Sequence, residues 1–549
     1  MRVKYSIPYL IYIVIFGLVP LFLTFVIVGL NLSSALKSAF AVTSPLEIIY
    51  NTFYFALFTA IVSTILGLIL AITIDMYPKK YLILLVLLPF TIPFTSSALI
   101  WVISFYGGYG WFTYLMGINY DPLYFSKTAL LAVSLVSAWS SVPLAFLLIL
   151  ASLRSIPNEV KESAQIDGLT ASQYYSSVAF PYALKGILLS FLITFVLSMG
   201  NFDLPYVMTQ GGPGFSTTTL PLMVYFMMFQ YDNFSGGALF ASILALIASI
   251  PAIGVALLVK RRGFRFSLLS IKIPDKIYKP LMLVATIIII IFLDFPVYWM
   301  ILVAIRPNSL DFVKPPILVP KSIDLSYLIS SLQASVPYMI SSLIVALIVG
   351  FLTILLSSLG AYEGARKFWF WLLILSIYIY ALPSTSYVIP IYLMISDVHL
   401  INTWLGLALP SAIFTVTFAF WTMFSFYIDF PKVYEEAAEI DGMKNRIIRL
   451  ILPLSRPFLI ASFIISFIFS WHLLFYPLVL SETPYRMNFP PSGSETITIF
   501  ALNAISQGSV NWALLASSAL VASLPVIVIS YIAQDYMLKG LYGGGVKGV

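Results

Sequence analysis

Residues 157–168 read PNEVKESAQIDG, and 274 residues later residues 431–442 read PKVYEEAAEIDG. Six of the twelve positions are identical: Pro157/Pro431, Glu162/Glu436, Ala164/Ala438, Ile166/Ile440, Asp167/Asp441 and Gly168/Gly442. A repeat at half the length of a 549-residue chain means that one structural unit is used twice. Each copy is a polar island between long apolar runs. Its residues also spell a short helix. Proline at a first helical position gives up no hydrogen bond. The acids that follow suit the positive end of the helix. Gly168 and Gly442 supply the residue that takes positive φ and stops it. In the first copy a second helical stretch is expected over 171–178, ahead of Pro181.

The runs between the islands set the class. The chain is 60% hydrophobic and 9% charged, where a soluble domain carries roughly 25% charged residues. Twelve segments are long enough to cross ~30 Å of hydrocarbon. In the first half they lie near 7–30, 49–75, 81–105, 128–152, 186–209 and 236–260. In the second they lie near 281–305, 338–362, 369–395, 403–428, 457–480 and 511–536. The first run, behind Arg2 and Lys4, exceeds a signal-peptide core and is expected as an uncleaved span. With the N-terminus inside, 23 of the 29 lysines and arginines fall on the cytoplasmic side. The positive-inside bias therefore places both termini and both islands in the cytoplasm of a multi-pass cell-membrane protein.

Six spans per unit give the two units the same orientation, as parallel repeats. The expected division is 1–259, with its island loop near 154–185; a basic cytoplasmic linker, 260–279; and 280–549, with its loop near 429–456. The linker reads KRRGFRFSLLSIKIPDKIYK, a stop-transfer flank first and a contact for acidic membrane lipid second. Asn51-Thr52 opens the second span with Ala71 twenty residues on, and Ser341-Ser342 opens the eighth with Ala361 twenty on. The units are thus alike beyond the islands.

Several functions are excluded. There is no cysteine, and His399 and His472 are the only histidines, so thiol chemistry and a histidine-built metal centre are ruled out. The net charge of +7 follows from basic cytoplasmic loops and does not call for nucleic acid. No G-x-x-x-x-G-K-[ST] phosphate loop occurs, so the chain is not expected to be an enzyme or to hold a cofactor.

The pattern E-(S/A)-A-x-x-D-G followed by a proline resembles the EAA loop of ABC-transporter membrane subunits. Pro181 follows Gly168 by thirteen residues, the usual spacing, whereas Pro453 follows Gly442 by eleven. The resemblance implies an all-α polytopic fold of the type I importer permease, with about twelve transmembrane helices in two halves. It also implies two copies of an ABC ATPase subunit docked on the loops through Glu162, Ala164, Asp167, Gly168, Glu436, Ala438, Asp441 and Gly442. An extracellular solute-binding protein is implied as well.

Phe202-Asp203, the stretch YVMTQGGP at 206–213, Ser216-Thr217 and Tyr225 resemble the MalF-like permeases of sugar importers. Trp471, Phe475, Pro477-Leu478, Trp512, Ala516, Pro525, Gln534, Gly540-Leu541 and the closing GVKG at 545–548 resemble their MalG-like partners. The chain is identified as a fused MalF-like/MalG-like permease, with a sugar or oligosaccharide as the expected substrate. The alternatives are an ABC permease for a non-sugar solute and an ion-coupled secondary transporter, for which Asp203 and Asp294 are the available intramembrane acids.

Polar groups at membrane depth are the substrate candidates, because they are costly there. Asn201 and Asp203 fall in the fifth apolar run beside Pro205. Asn201 looks like the asparagine that contacts sugar in MalF-like proteins. Asp203 either accepts hydroxyl protons or caps broken backbone. Trp471, His472 and Tyr476 in the eleventh run offer a stacking face and hydrogen bonds. His472 stands where the family usually has asparagine, and packing is its other reading. For Asp294 a helix–helix hydrogen bond is expected.

Overall fold

Hydrocarbon offers a backbone no hydrogen-bond partners, so a chain crossing it must satisfy itself as helix. A computed structural model describes residues 5–30, 32–260, 270–320, 322–486, 492–506 and 511–544. Arg2, Lys4, linker residues 261–269 and the GVKG stretch lie outside the described residues. Among the described residues there is no β-strand, apart from an isolated bridge between Arg486 and Ser492.

Among the described residues nine helices are long and apolar enough to span, and three bent pairs, each counted as one span, bring the total to twelve. Spans 1 and 2 are Ile7–Leu30 and Pro45–Met76, and span 3 is the pair Lys80–Thr91 and Phe94–Phe105. Spans 4, 5 and 6 are Ser126–Arg154, Ala171–Met199 and Phe234–Leu258. Spans 7 and 8 are Asp275–Ala304 and Ser326–Arg366, and span 9 is the pair Phe370–Ala381 and Ser384–Asp397. Span 10 is Trp404–Asp429, span 11 the pair Ile447–Leu454 and Arg456–His472, and span 12 Trp512–Ile532.

Five of these differ from the sequence expectation. Spans 3 and 9 are not continuous but turn through 92° and 98°. Ile92 and Leu382 precede Pro93 and Pro383, and proline pushes the residue before it out of the helix. Both are extended, at ψ 123° and 129°. Span 5 ends at Met199 rather than 209, and a separate short helix, Asp203–Thr209, follows. Span 11 likewise stops at His472, with Phe475–Leu480 after it. Its 72° bend falls at Ser455, just ahead of Pro457, where the first unit has Lys185 and an unbroken helix. Span 8 starts twelve residues earlier than expected and runs for 41 residues.

Each unit sends its first span across to the other. Tyr9 Oη lies 2.6 Å from Ser376 Oγ, and its ring stacks on Phe420 at 4.2 Å. Gly360 makes room for that ring, since a Cβ there would sit 2.8 Å from it. In return, Trp139 Nε1 donates to the Leu293 carbonyl of span 7 at 3.0 Å, and Thr73 Oγ1 donates to Met282 O at 3.3 Å. The two units are therefore interlocked rather than merely abutted.

The polar pairs that open spans 2 and 8 do equivalent work. Thr52 Oγ1 accepts the Leu220 N–H at 2.8 Å, and Ser342 Oγ accepts the Ile497 N–H at 2.8 Å. Each hydroxyl satisfies a first-turn amide of a short helix, Leu220–Tyr225 or Ile497–Ser506.

Twelve spans put both island loops on one side. In this cysteine-free chain, Gln165→Cys and Ala437→Cys, both at exposed positions, test that side. On intact cells both should react with a membrane-permeant maleimide and neither with an impermeant one. Labelling of either by the impermeant reagent would reverse the orientation drawn from the charge bias.

Candidate functional site

The breaks in spans 3 and 9 and the interruptions that follow spans 5 and 11 meet around one cavity of about 220 Å³. Ile92 and Phe94 line it from span 3, Gly200 to Asp203 from the end of span 5, Leu382 to Thr385 from span 9, and Ser470 with His472 to Tyr476 from the end of span 11. Gly200 is needed for this convergence, because a Cβ there would lie 3.0 Å from the Pro383 ring. Irregular backbone is tolerated at membrane depth only where protein or a water-lined space covers it. Aromatic walls (Phe90, Tyr380, Phe414, Phe469) enclose hydroxyl-bearing residues from spans 4, 9, 10 and 11. Ser140 Oγ, Thr385 Oγ1, Ser470 Oγ and His472 Nε2 are buried without a hydrogen-bond partner. Such groups cost free energy unless a ligand or water satisfies them.

Of the five expected substrate residues, four line this cavity: Asn201, Asp203, His472 and Tyr476. Their setting differs from the expected mid-helix one. Asn201 sits in the break after span 5, where its Oδ1 accepts the Leu204 N–H at 3.1 Å. It is thus Asn201, not Asp203, that caps the interrupted backbone; Asp203 is the first residue of the short helix. Trp471 is not brought to the cavity. Its Nε1 donates to Ala522 O at 3.0 Å and its ring stacks on Phe467. Asp294 Oδ1 is buried without a partner, so the expected helix–helix bond does not form through that oxygen.

Thr385 and Ser384 were missed by sequence reasoning. The signal was present: Ile92-Pro93-Phe94-Thr95 and Leu382-Pro383-Ser384-Thr385 recur 290 residues apart, the offset of Thr52 and Ser342.

The islands form two short helices, Asn158–Ile166 and Val433–Ile440. Both end in the same glycine turn. Leu169 N–H reaches back to Ala164 O at 3.2 Å, and Met443 N–H to Ala438 O at 2.9 Å. These six-to-one bonds need a left-handed residue, and Gly168 and Gly442 stand at φ +69° and +66°. Beyond the turn the copies diverge. Thr170 and Gln173 form a capping box, and Asp275 Oδ1 also accepts the Ala171 N–H at 2.8 Å. The second copy, two residues shorter, turns instead through Asn445 at φ +57°.

Ala164 and Ala438 are buried against the body of the protein and so do not face outward. Glu162, Asp167, Glu436 and Asp441 are exposed. So are Ile166 and Ile440, at 86% and 87%. The two copies thus keep an exposed isoleucine at the same place, beside the exposed glutamate and the Asp-Gly turn.

A duplicated bundle of interlocked membrane helices, with an aromatic-walled cavity rimmed by a few polar groups at four helix breaks and two matched helices on one face, is the architecture of a transport permease. Residues 63–265 match the family described as binding-protein-dependent transport system inner membrane component. The trehalose/maltose transport system permease MalG of Thermococcus litoralis is 28% identical over 276 residues, 49% of this chain and 96% of that protein. MalF of the same organism is 30% identical over 199 residues, 35% of this chain and 68% of that protein. The trehalose transport system permease SugB of Mycobacterium tuberculosis is 29% identical over 260 residues, 46% of this chain and 92% of that protein. The chain belongs to the binding-protein-dependent ABC permeases, and its length corresponds to about two of their permease units.

The glycine turns generate a prediction. A Cβ at Gly442 meets nothing within 4 Å, so its replacement is opposed by backbone conformation alone. Gly442→Val should cost about 1–2 kcal/mol or more, and amides around 438–447 should exchange roughly tenfold faster or beyond. Gly442→Asn, which tolerates a left-handed backbone, should stay close to the parent.

Proposed function

We propose that this chain is the transmembrane permease of a sugar importer driven by ATP. The observation that carries this reading is the pair of short helices presenting the same exposed glutamate, isoleucine and Asp-Gly turn on one side of the membrane. Two ABC ATPase subunits would each take one helix. Glu162, Asp167, Glu436 and Asp441 supply the charge on these faces, and Ile166 and Ile440 the apolar contact. ATP hydrolysis in those chains would move the helices and, through them, the spans that wall the cavity. A solute-binding protein on the outer side would deliver the sugar.

Substrate would pass through the cavity between the four breaks. At about 220 Å³ it is smaller than the ~300–1,000 Å³ usual for small-molecule sites, so its walls must part before a sugar passes. Asn201, whose oxygen is engaged by the Leu204 amide, has its amide nitrogen to offer a sugar hydroxyl. Asp203, His472, Tyr476 and Thr385 complete a hydrogen-bonding rim, and the aromatic walls give the sugar ring an apolar face. The sugar permeases among the relatives, for trehalose and maltose, support this substrate class.

Reconstitution tests it. Proteoliposomes holding the permease, its ATPase chains and the binding protein should take up trehalose or maltose only when ATP is supplied. Full uptake driven by an ion gradient, with no ATPase chain present, would overturn the proposal. Within the same assay, Asn201→Ser keeps a helix-capping oxygen and loses the amide donor. It should weaken apparent sugar affinity roughly two- to tenfold, the net worth of one hydrogen bond at ~0.5–1.5 kcal/mol, with ATPase assembly unchanged.

A further inference from the structure

Each short cytoplasmic helix is tied to the inner end of the second span of its own unit, and the two ties have opposite polarity. Positions 161 and 435 correspond through the 274-residue offset. The first is lysine, with Lys161 Nζ 3.5 Å from Asp75 Oδ1. The second is glutamate, with Arg366 Nε donating to Glu435 Oε1 at 2.6 Å. Asp75 is the penultimate residue of span 2, and Arg366 is the last residue of span 8. A tyrosine joins each cluster: Tyr175 Oη donates to Asp75 Oδ2 at 2.8 Å, and Tyr362 Oη to Glu435 Oε2 at 2.9 Å. The placement is repeated and the charges are exchanged.

Helices of nine and eight residues have little stability of their own. Each buries one residue, Ala164 or Ala438, so packing alone fixes its direction loosely. An ion pair on the inward side supplies a second point of attachment. It leaves the outward glutamate and isoleucine free for a partner. The polarity also discriminates. Laid on the other unit, Lys161 would meet Arg366 and Glu435 would meet Asp75, and like charges this close repel.

We propose that Lys161–Asp75 and Glu435–Arg366 are the positioning pairs that hold each cytoplasmic helix on its own unit, and that their inverted polarity makes the two helices non-interchangeable. This rests on reading those helices as the points where ATPase chains act. The ties differ in strength. Arg366 also donates to Tyr427 O at 3.0 Å and Phe430 O at 3.1 Å, which binds the end of span 10 into the second cluster. The first pair is wetter, with Lys161 at 30% exposure against 12% for Arg366.

The test needs no partner protein. Nitroxides on Ser163→Cys and Tyr81→Cys report the first helix, and on Ala437→Cys and Trp371→Cys the second; all four positions are exposed. Electron–electron distance distributions are measured on the full chain in lipid nanodiscs. The parent should give one narrow peak per pair. Lys161→Glu or Asp75→Lys should broaden the first peak and leave the second unchanged. The double reversal Asp75→Lys with Lys161→Glu should restore the narrow peak. Glu435→Lys should broaden only the second. Single reversals that leave the widths unchanged, or a double reversal as broad as the singles, would overturn the proposal. Arg366 carries carbonyl contacts as well, so the first pair, free of them, decides the matter if an Arg366 variant fails to insert. Should the helices prove not to be ATPase contacts, uptake would be lost as an assay while these distances would still respond.

Discussion

The need to satisfy every backbone polar group inside hydrocarbon governs this molecule. It makes the chain almost wholly helical, and it makes any break in a helix an event that must be covered by other protein. The protein contains such breaks within spans 3 and 9 and directly after spans 5 and 11, and all four line one cavity. The cavity is the consequence. Its polar rim is built from the residues at or beside the interruptions (Asn201, Thr385, Ser470 and His472), because freed backbone and small polar side chains tolerate the same place. Gly200 against Pro383 shows how close the interrupted segments come. The same constraint keeps the charged residues of the two island helices at the ends of the spans, where water solvates them.

Duplication supplies the second layer of order, and its imperfections carry the interest. Prolines at 93 and 383, hydroxyls at 52 and 342 and glycine turns at 168 and 442 recur in place and in role. Where the copies part, geometry parts with them. Pro457 bends span 11 at Ser455, while span 5 runs straight through its counterpart, Lys185. The two-residue deletion after Gly442 replaces a capping box with a left-handed asparagine. The exchange of Lys161–Asp75 for Glu435–Arg366 keeps a contact and inverts its charge. A fused chain with one copy of each unit has room for such divergence, because the two sides of its interface need not be identical.

By itself the sequence determined the class of the protein. Runs of apolar residues of bilayer length allow one solution, the helical span, and the repeated PxxxxExAxIDG island requires that solution twice. The glycine stops were legible for the same reason, since few residues other than glycine take positive φ cheaply. The proline breaks in spans 3 and 9 were written there too, at one fixed offset, although apolar length alone hides them. Tertiary structure decided what each polar side chain meets. Trp471 and His472 are neighbours in sequence, yet one points into a helix interface and the other into the cavity. Glu435 and Glu436 are the same residue type, yet one binds Arg366 and the other faces water. A helix turns 100° per residue, so the phase that separates such neighbours is set by packing against segments dozens to hundreds of residues away. No local pattern carries that information.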